Sequence, residues 1–192
     1  MSKKNILIEP EPILRKKSQS LEKVDDELRK LMDDMLETMY AAPGIGLAAV
    51  QIGILKRLIV IDISKDDQKK EPLFLVNPKI TFQSKKTSVY EEGCLSLPGH
   101  FAEIERPAEC HVSYVDYGGK NQELKASGLL ATCVQHEIDH LDGITMFDRQ
   151  FIPEPIVRKS EKIGRNEKVK ITNGSETKML KYKKAEPLLT TG

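Results

Sequence analysis

Tryptophan is absent from this 192-residue chain, and phenylalanine and tyrosine occur only five times each. Its core must therefore be mostly aliphatic. Cysteine occurs three times, as Cys94, Cys110 and Cys133, an odd and sparse set unlike a secreted disulfide framework. Reduced thiols are expected, at least one of them available as a metal ligand. No run approaches the ~18–20 apolar residues that a membrane span requires. The first ten residues reach charge and Pro10 before a signal-like apolar stretch can develop, so no membrane association and a cytoplasmic location are expected. Neither sign of charge dominates: 30 Lys and Arg face 29 Asp and Glu, for a net charge of +1. With 39% hydrophobic and 31% charged residues, the composition suits a globular protein rather than a disordered one.

The pattern along the chain predicts an α+β domain, short antiparallel strands packed around a helix, rather than alternating βαβ units. Leu28, Leu31, Met32, Met35, Leu36 and Met39 recur at three- and four-residue spacing, predicting an amphipathic helix from about Asp25 to Ala42 with Asp25 as its cap. Pro43-Gly44-Ile45-Gly46 ends it in a tight loop. Arg57–Ile63 and Leu73–Val76 read as buried strands, and Thr81-Phe82, Thr87–Glu91 and Cys110–Tyr117 as weaker ones. Gly118-Gly119 turns the last of these into a hairpin with Gln122–Lys125. A second helix is expected over Leu129–Leu141, stopping at Asp142-Gly143. Residues 1–155 form the expected catalytic domain. Beyond it, 156–192 read as a basic appendage, a short helix followed by a loose tail, since Gly164 and Asn173-Gly174 interrupt any longer helix.

Chemistry concentrates in Gln135-His-Glu-Ile-Asp-His140. Residues four apart on a helix lie about 40° apart around its axis, so His136 and His140 can hold one metal from a single face. Glu137 projects near that face without being a ligand. By itself such a pattern also arises by chance on an exposed helix. A third ligand is needed, and Cys133 lies two turns, roughly 10 Å, from His140; it reads as packing beside the site, as does Cys110 in its strand. Cys94 stands in Glu91-Glu-Gly-Cys-Leu-Ser-Leu-Pro98. A thiolate there makes a Cys-His-His set with a position left open, a catalytic arrangement; a buried cysteine at a strand end is the alternative. Gly44-Ile-Gly-Leu-Ala-Ala-Val-Gln51 lets another segment pass close and places one amide in an apolar run. It lacks the Lys-Ser/Thr of a phosphate loop, though a simple glycine turn has the same look.

Together, Gly44–Gln51, Glu92-Gly-Cys-Leu-Ser96 and Gln135–His140 resemble, in order, the three signatures of the peptide deformylases, and Pro12–Lys17 looks like that family's opening strand. The resemblance covers roughly residues 5 to 148. It implies that Cys94, His136 and His140 bind one divalent ion per chain, usually Fe²⁺, which Ni²⁺, Co²⁺ or Zn²⁺ can replace. It implies that a metal-bound hydroxide attacks the formyl carbon of an N-formyl-methionyl peptide and releases formate. The Gln51 amide and the Leu95 N–H are then the oxyanion donors, and Glu137 the general base and later acid. Ile45, Leu129 and Cys133 are the implied walls of the methionine slot. Ile45, Gly46 and Gly93 would pair with an extended peptide, and Glu92 with Arg106 would brace the Cys94 segment, unless Arg106 is a solvated charge. Because a thiolate donates charge strongly, the Fe²⁺ form is expected to be more active than the Zn²⁺ form.

From Ile156 to Lys184 ten basic residues stand against three acidic ones, a net +7. The resemblance suggests a ribosome-docking element acting through RNA phosphates; a solvated tail is the equal alternative. A zinc endopeptidase using the same helix, with Glu161 as its downstream ligand, is the enzymatic rival. A non-catalytic metal- or RNA-binding module is the other, but such a module has no need of Glu137 or Gln51.

Overall fold

The structure, a computed structural model, describes residues 2–65, 68–149, 168–172 and 177–181. The chain divides into two compact units, Met1–Phe151 and Ile152–Gly192. Among the described residues no helix is long and apolar enough to cross a membrane.

Helix α1 (Asp26–Ala41) begins where Asp25 accepts a hydrogen bond from Leu28 N–H at 3.0 Å, a cap that satisfies one of the free amides of the first turn. Its methionine stripe is core: Met32, Met35 and Met39 are fully buried, each stabilising the fold by roughly 1.5–3 kcal/mol. They pack on a five-stranded antiparallel sheet of β1 (Gly46–Ala48), β2 (Leu58–Ile61), β3 (Leu73–Gln83), β6 (Glu109–Val115) and β7 (Asn121–Ser127), in the order β1-β2-β3-β6-β7. Strand β2 explains its unbroken apolar run. Leu58 and Val60 join the core under α1, while Ile59 and Ile61 join the core under helix α2 (Gly128–Leu141). Alternate residues point to opposite faces, and here both faces are covered.

Strand β3 fuses two expected segments across Pro78 by bending at Asn77. That residue takes φ +51° and ties its side chain to Leu21, donating to its carbonyl at 2.7 Å and accepting from its N–H at 2.8 Å. The ladder with β6 shifts register on either side of Lys79, as at a bulge. A second sheet, the hairpin β4 (Thr87–Cys94) with β5 (Leu97–Pro107), stands apart from the first. Strand β5 was not expected, because its alternation is interrupted by Pro98-Gly99 and its far half carries Glu103, Glu105 and Arg106.

Helix α2 ends as expected at Asp142-Gly143. Gly143 N–H donates to His140 O (3.1 Å) and Ile144 N–H to Asp139 O (2.9 Å), a Schellman turn. Gly143 sits at φ +75°, where a Cβ would collide with the carbonyl of Arg15. The chain doubles back into a short helix α3 (Met146–Arg149).

Two expectations are corrected. Pro12–Lys17 is not a strand. Pro12 presets a helical φ, and Leu14 N–H and Lys16 N–H donate to Glu11 O and Ile13 O, closing a 3-10 turn over Pro12–Arg15 with Leu14 buried. The appendage is not helical or loose where it is described: β8 (Lys168–Thr172) and β9 (Thr177–Lys181) form an antiparallel hairpin. Asn173-Gly174, read as a helix breaker, is equally a hairpin-turn signal. The short helix expected upstream, from 156, lies outside the described residues.

Candidate metal centre

Every residue of α2 from Ala131 to Leu141 is buried, so its polar side chains must find partners or a ligand. His136 Nδ1 lies 2.9 Å from a Glu92 carboxylate oxygen. That contact orients the ring and turns Nε2 inward, as a carboxylate does for a metal-binding histidine. His140 Nε2 is 3.2 Å from His136 Nε2 and 3.1 Å from the Cys94 sulfur. The three donor atoms all lie within 4.8 Å of one another.

The set fits a divalent ion: one thiolate and two imidazoles suit iron, zinc, cobalt or nickel, and three protein donors leave a coordination position open. Electrostatics point the same way. Burial, and then His136, push His140 well below its ordinary pKa. Against the opposing effect of burial, Cys94 and Glu92 push His136 up to about 10. The two rings are too close to share protonation, and a cation between them satisfies both.

Cys94 arrives from the tip of the β4–β5 hairpin, where the register slips between Gly93 and Cys94. Arg106 of β5 holds that tip. Its guanidinium reaches both oxygens of Glu92 at 2.6 and 3.0 Å and Asp139 at 2.7 Å. The expected Glu92–Arg106 brace is thus present, and Arg106 is buried rather than solvated.

Gln51 sits in the turn after β1, fully buried. Its side-chain oxygen accepts from Ala48 N–H at 2.8 Å, which points the amide nitrogen at Ser96 Oγ (3.2 Å) and Cys94 Sγ (3.7 Å). Glu137 faces β1, and Gly46 is what admits it: a Cβ there would collide with the carboxylate and lie 2.9 Å from Cys133 Sγ. One Glu137 oxygen is buried with no hydrogen-bond partner, and burial pushes the carboxyl up to about 7.

A cleft of ≈ 530 Å³ opens over these groups. The polypeptide deformylase family model matches residues 3–155. The chain belongs to that family. Peptide deformylase of Pelagibacter ubique is 60% identical over 168 residues, covering 86% of this chain and 98% of that protein. The Rhizobium meliloti peptide deformylase is 56% identical over 148 residues, 77% of this chain and 85% of that one. The crystal structure of Ehrlichia chaffeensis peptide deformylase superposes with a TM-score of 0.74 at 43% identity, covering 77% of this chain and 88% of that one. A second structure of the Ehrlichia enzyme, also at TM-score 0.74, is a complex with actinonin. Family membership makes the chain a metal-dependent amide hydrolase.

All the expected deformylase site residues but one line the cleft: Ile45, Gly46, Gln51, Gly93, Cys94, Leu95, Leu129, Cys133, His136 and Glu137. His140 lies behind it, against Cys94 and His136. Cys133 packs beside the centre with its sulfur 3.7 Å from Ile45 O, as read from its distance along the helix. Glu161, the rival's ligand, lies outside the described residues, and the triad is complete without it.

Sequence reasoning missed Ser96, the partner of the Gln51 amide, and Asp139, which takes Arg106. It also missed His100 and Phe101 on the cleft rim. Asp139 had a signal: an acidic residue three positions from His136, on the helix expected to hold both histidines, has to be paired once that helix is buried.

Proposed function

We propose that this deformylase hydrolyses the formyl group from N-formyl-methionyl peptides, giving formate and a free amine, with Cys94, His136 and His140 holding the ion. The observation that carries this is the convergence of the triad, the Gln51 amide and a Glu137 oxygen without a hydrogen-bond partner at one cleft. The ion supplies Lewis acidity, which makes a water acidic enough to ionise near neutral pH.

The chain's own residues do the rest. The Gln51 amide nitrogen and the Leu95 N–H donate to the formyl oxygen as charge grows on it, an interaction whose loss costs ~10²–10³ in rate. Glu137 takes the proton of the attacking water and returns it to the departing amine nitrogen. Its desolvated oxygen suits that exchange, being neither paired nor solvated. Ile45, Leu129 and Cys133 receive the methionine side chain, while backbone groups of Ile45, Gly46 and Gly93 pair with the extended peptide.

Fe²⁺ is the ion proposed, with Ni²⁺, Co²⁺ or Zn²⁺ as substitutes, because a thiolate donor weakens the Lewis acidity of a redox-silent ion. Equal turnover after reconstitution with Fe²⁺ or Zn²⁺ would contradict this. Three free thiols fit a cytoplasmic location. The +7 stretch from Ile156 to Lys184 is proposed to meet ribosomal RNA; truncation after Phe151 with unchanged co-sedimentation would end that idea.

Formate release from formyl-Met-Ala-Ser, without endopeptidase activity on casein, is the expected result for the whole chain. Glu137→Ala should retain the ion by metal analysis and lose turnover by ~10²–10⁴. Undiminished formate release would refute the role given to Glu137.

A further inference from the structure

The ion's ligands come from two elements with no shared sheet, so something must set the distance between Cys94 on the β4–β5 hairpin and the histidines of α2. Apolar contact supplies a small part: Leu97, Ala102 and Ile104 of the hairpin meet Met146 of α3, with Cys94 packed against them. Leu95 at the tip packs on the core under α1, and Ser96 accepts from Gln51 and from Glu9 N–H; an ionic link then runs through residues to which the chemistry above gives no role. Arg106 divides its guanidinium between Glu92 and Asp139. Asp139, buried and next to the ligand His140, is gripped in turn by Arg149, whose Nε and Nη2 donate to its two oxygens at 2.9 and 2.6 Å.

The backbone prepares this grip. The Schellman turn at Gly143 reverses the chain, Met146 anchors α3 in the hairpin core, and Thr145 N–H donates to Asp148 at 2.7 Å. Asp148 is also paired with Arg15. Arg149 is thereby carried back onto the helix that holds the histidines. The chain of contacts reads Arg149, Asp139, Arg106, Glu92, His136, and Glu92 stands two residues before Cys94.

We propose that Arg149 is a positioning residue for the metal centre. By holding both oxygens of Asp139, it leaves Arg106 free to keep its bidentate hold on Glu92, and so fixes His136 and the Cys94 tip at ion-binding distance. Without Arg149, one oxygen of a buried carboxylate loses its partner, and Asp139 competes with Glu92 for Arg106. The Arg149 side chain is 45% exposed, so water screens its charge. Its effect therefore falls on geometry at the site more than on the stability of the fold.

This rests on the reading of Cys94, His136 and His140 as ion ligands. The test loads the full chain with Co²⁺ and follows its release to a chelator in wild type, Arg149→Met and Arg149→Lys, with the melting temperature of each metal-free protein alongside. Removing a group that orients a ligand typically weakens a site 10–100-fold. Release about tenfold faster from Arg149→Met is expected, with Arg149→Lys in between, since an ammonium cannot span both oxygens. Metal-free melting should hardly move. In an Asp139→Asn background the Arg149→Met change should add nothing, because the two act as one unit.

Release within about twofold of wild type from folded Arg149→Met overturns the proposal, as does full additivity with Asp139→Asn. A lower melting temperature with unchanged release shows a merely structural arginine. A wild-type chain that takes up no Co²⁺ removes the metal-centre reading, and this proposal with it.

Discussion

The two halves of the metal centre are held in place by different forces. Helix α2, which carries both histidines, is buried along its whole second half. Ala131, Val134, Ile138 and Leu141 pack into one core with Ile59, Ile61, Leu75 and Val112 of the large sheet. The β4–β5 hairpin, which carries Cys94, has four buried apolar partners in its own cluster, one of them Met146 from α3. It leaves Val89 and Phe101 more than half exposed. Beyond Leu95 and the Ser96 hydrogen bonds at its tip, its attachment runs through Arg106, Glu92 and Asp139. Apolar packing makes the histidine half rigid, and a few directional ion pairs set where the thiolate half sits. The difference puts the less apolar attachment on the cysteine side of the cleft.

The sharpest way to break that comparison is Arg106→Met, which strips buried Glu92 of both its guanidinium contacts and leaves Asp139 to Arg149 alone. A loss of about 3–5 kcal/mol in denaturant unfolding is expected, with metal retention lost as well. A loss below about 1 kcal/mol would mean that the hairpin is held by something other than these ions. Next is a pair of truncations, each costing about 2–5 kcal/mol of stability. Leu75→Ala, in the sheet core, should leave Co²⁺ release unchanged in the folded fraction. Ile104→Ala, in the hairpin core, should accelerate it. Equal release from the two would erase the distinction.

The smallest effect concerns acid. Against the opposing effect of burial, His136 and Arg106 hold the Glu92 carboxyl below its ordinary value of 4.5. A group with a depressed folded pKa contributes stability in full above its unfolded value and loses it as pH falls through the folded one. Metal-free Glu92→Gln should therefore lose less melting temperature than wild type between pH 5 and pH 3. Parallel acid limbs would show that Glu92 carries no such linkage.

Much of this was legible in the linear chain, for reasons that differ by element. The stripe from Leu28 to Met39 specified α1 because a 3.6-residue period and a capping aspartate act locally. Strand β2 announced itself by burial on both faces. Strand β5 did not, since one face is polar and Pro98-Gly99 and Pro107 look like loop. The 3-10 turn at Pro12–Arg15 was mistaken for a strand, because a proline-rich entry suits either and the choice rests on two short-range hydrogen bonds. The pairing of Lys168–Thr172 with Thr177–Lys181 was missed because Asn173-Gly174 was read as an interruption of helix in a loose tail.

The sequence by itself determined the donor set. The spacing of His136 and His140, the glycines beside Gln51 and Cys94, and the family signatures all follow from local chemistry written in adjacent residues. Only the tertiary structure decided which polar groups hold that set in place. The contacts of Arg149 with Asp139, Asp139 with Arg106, Arg106 with Glu92, and Glu92 with His136 join residues up to 44 positions apart. No periodicity reports such pairs: they exist because charges on the buried stretch of the helix need partners, and the partners arrive from whichever elements the core places beside it.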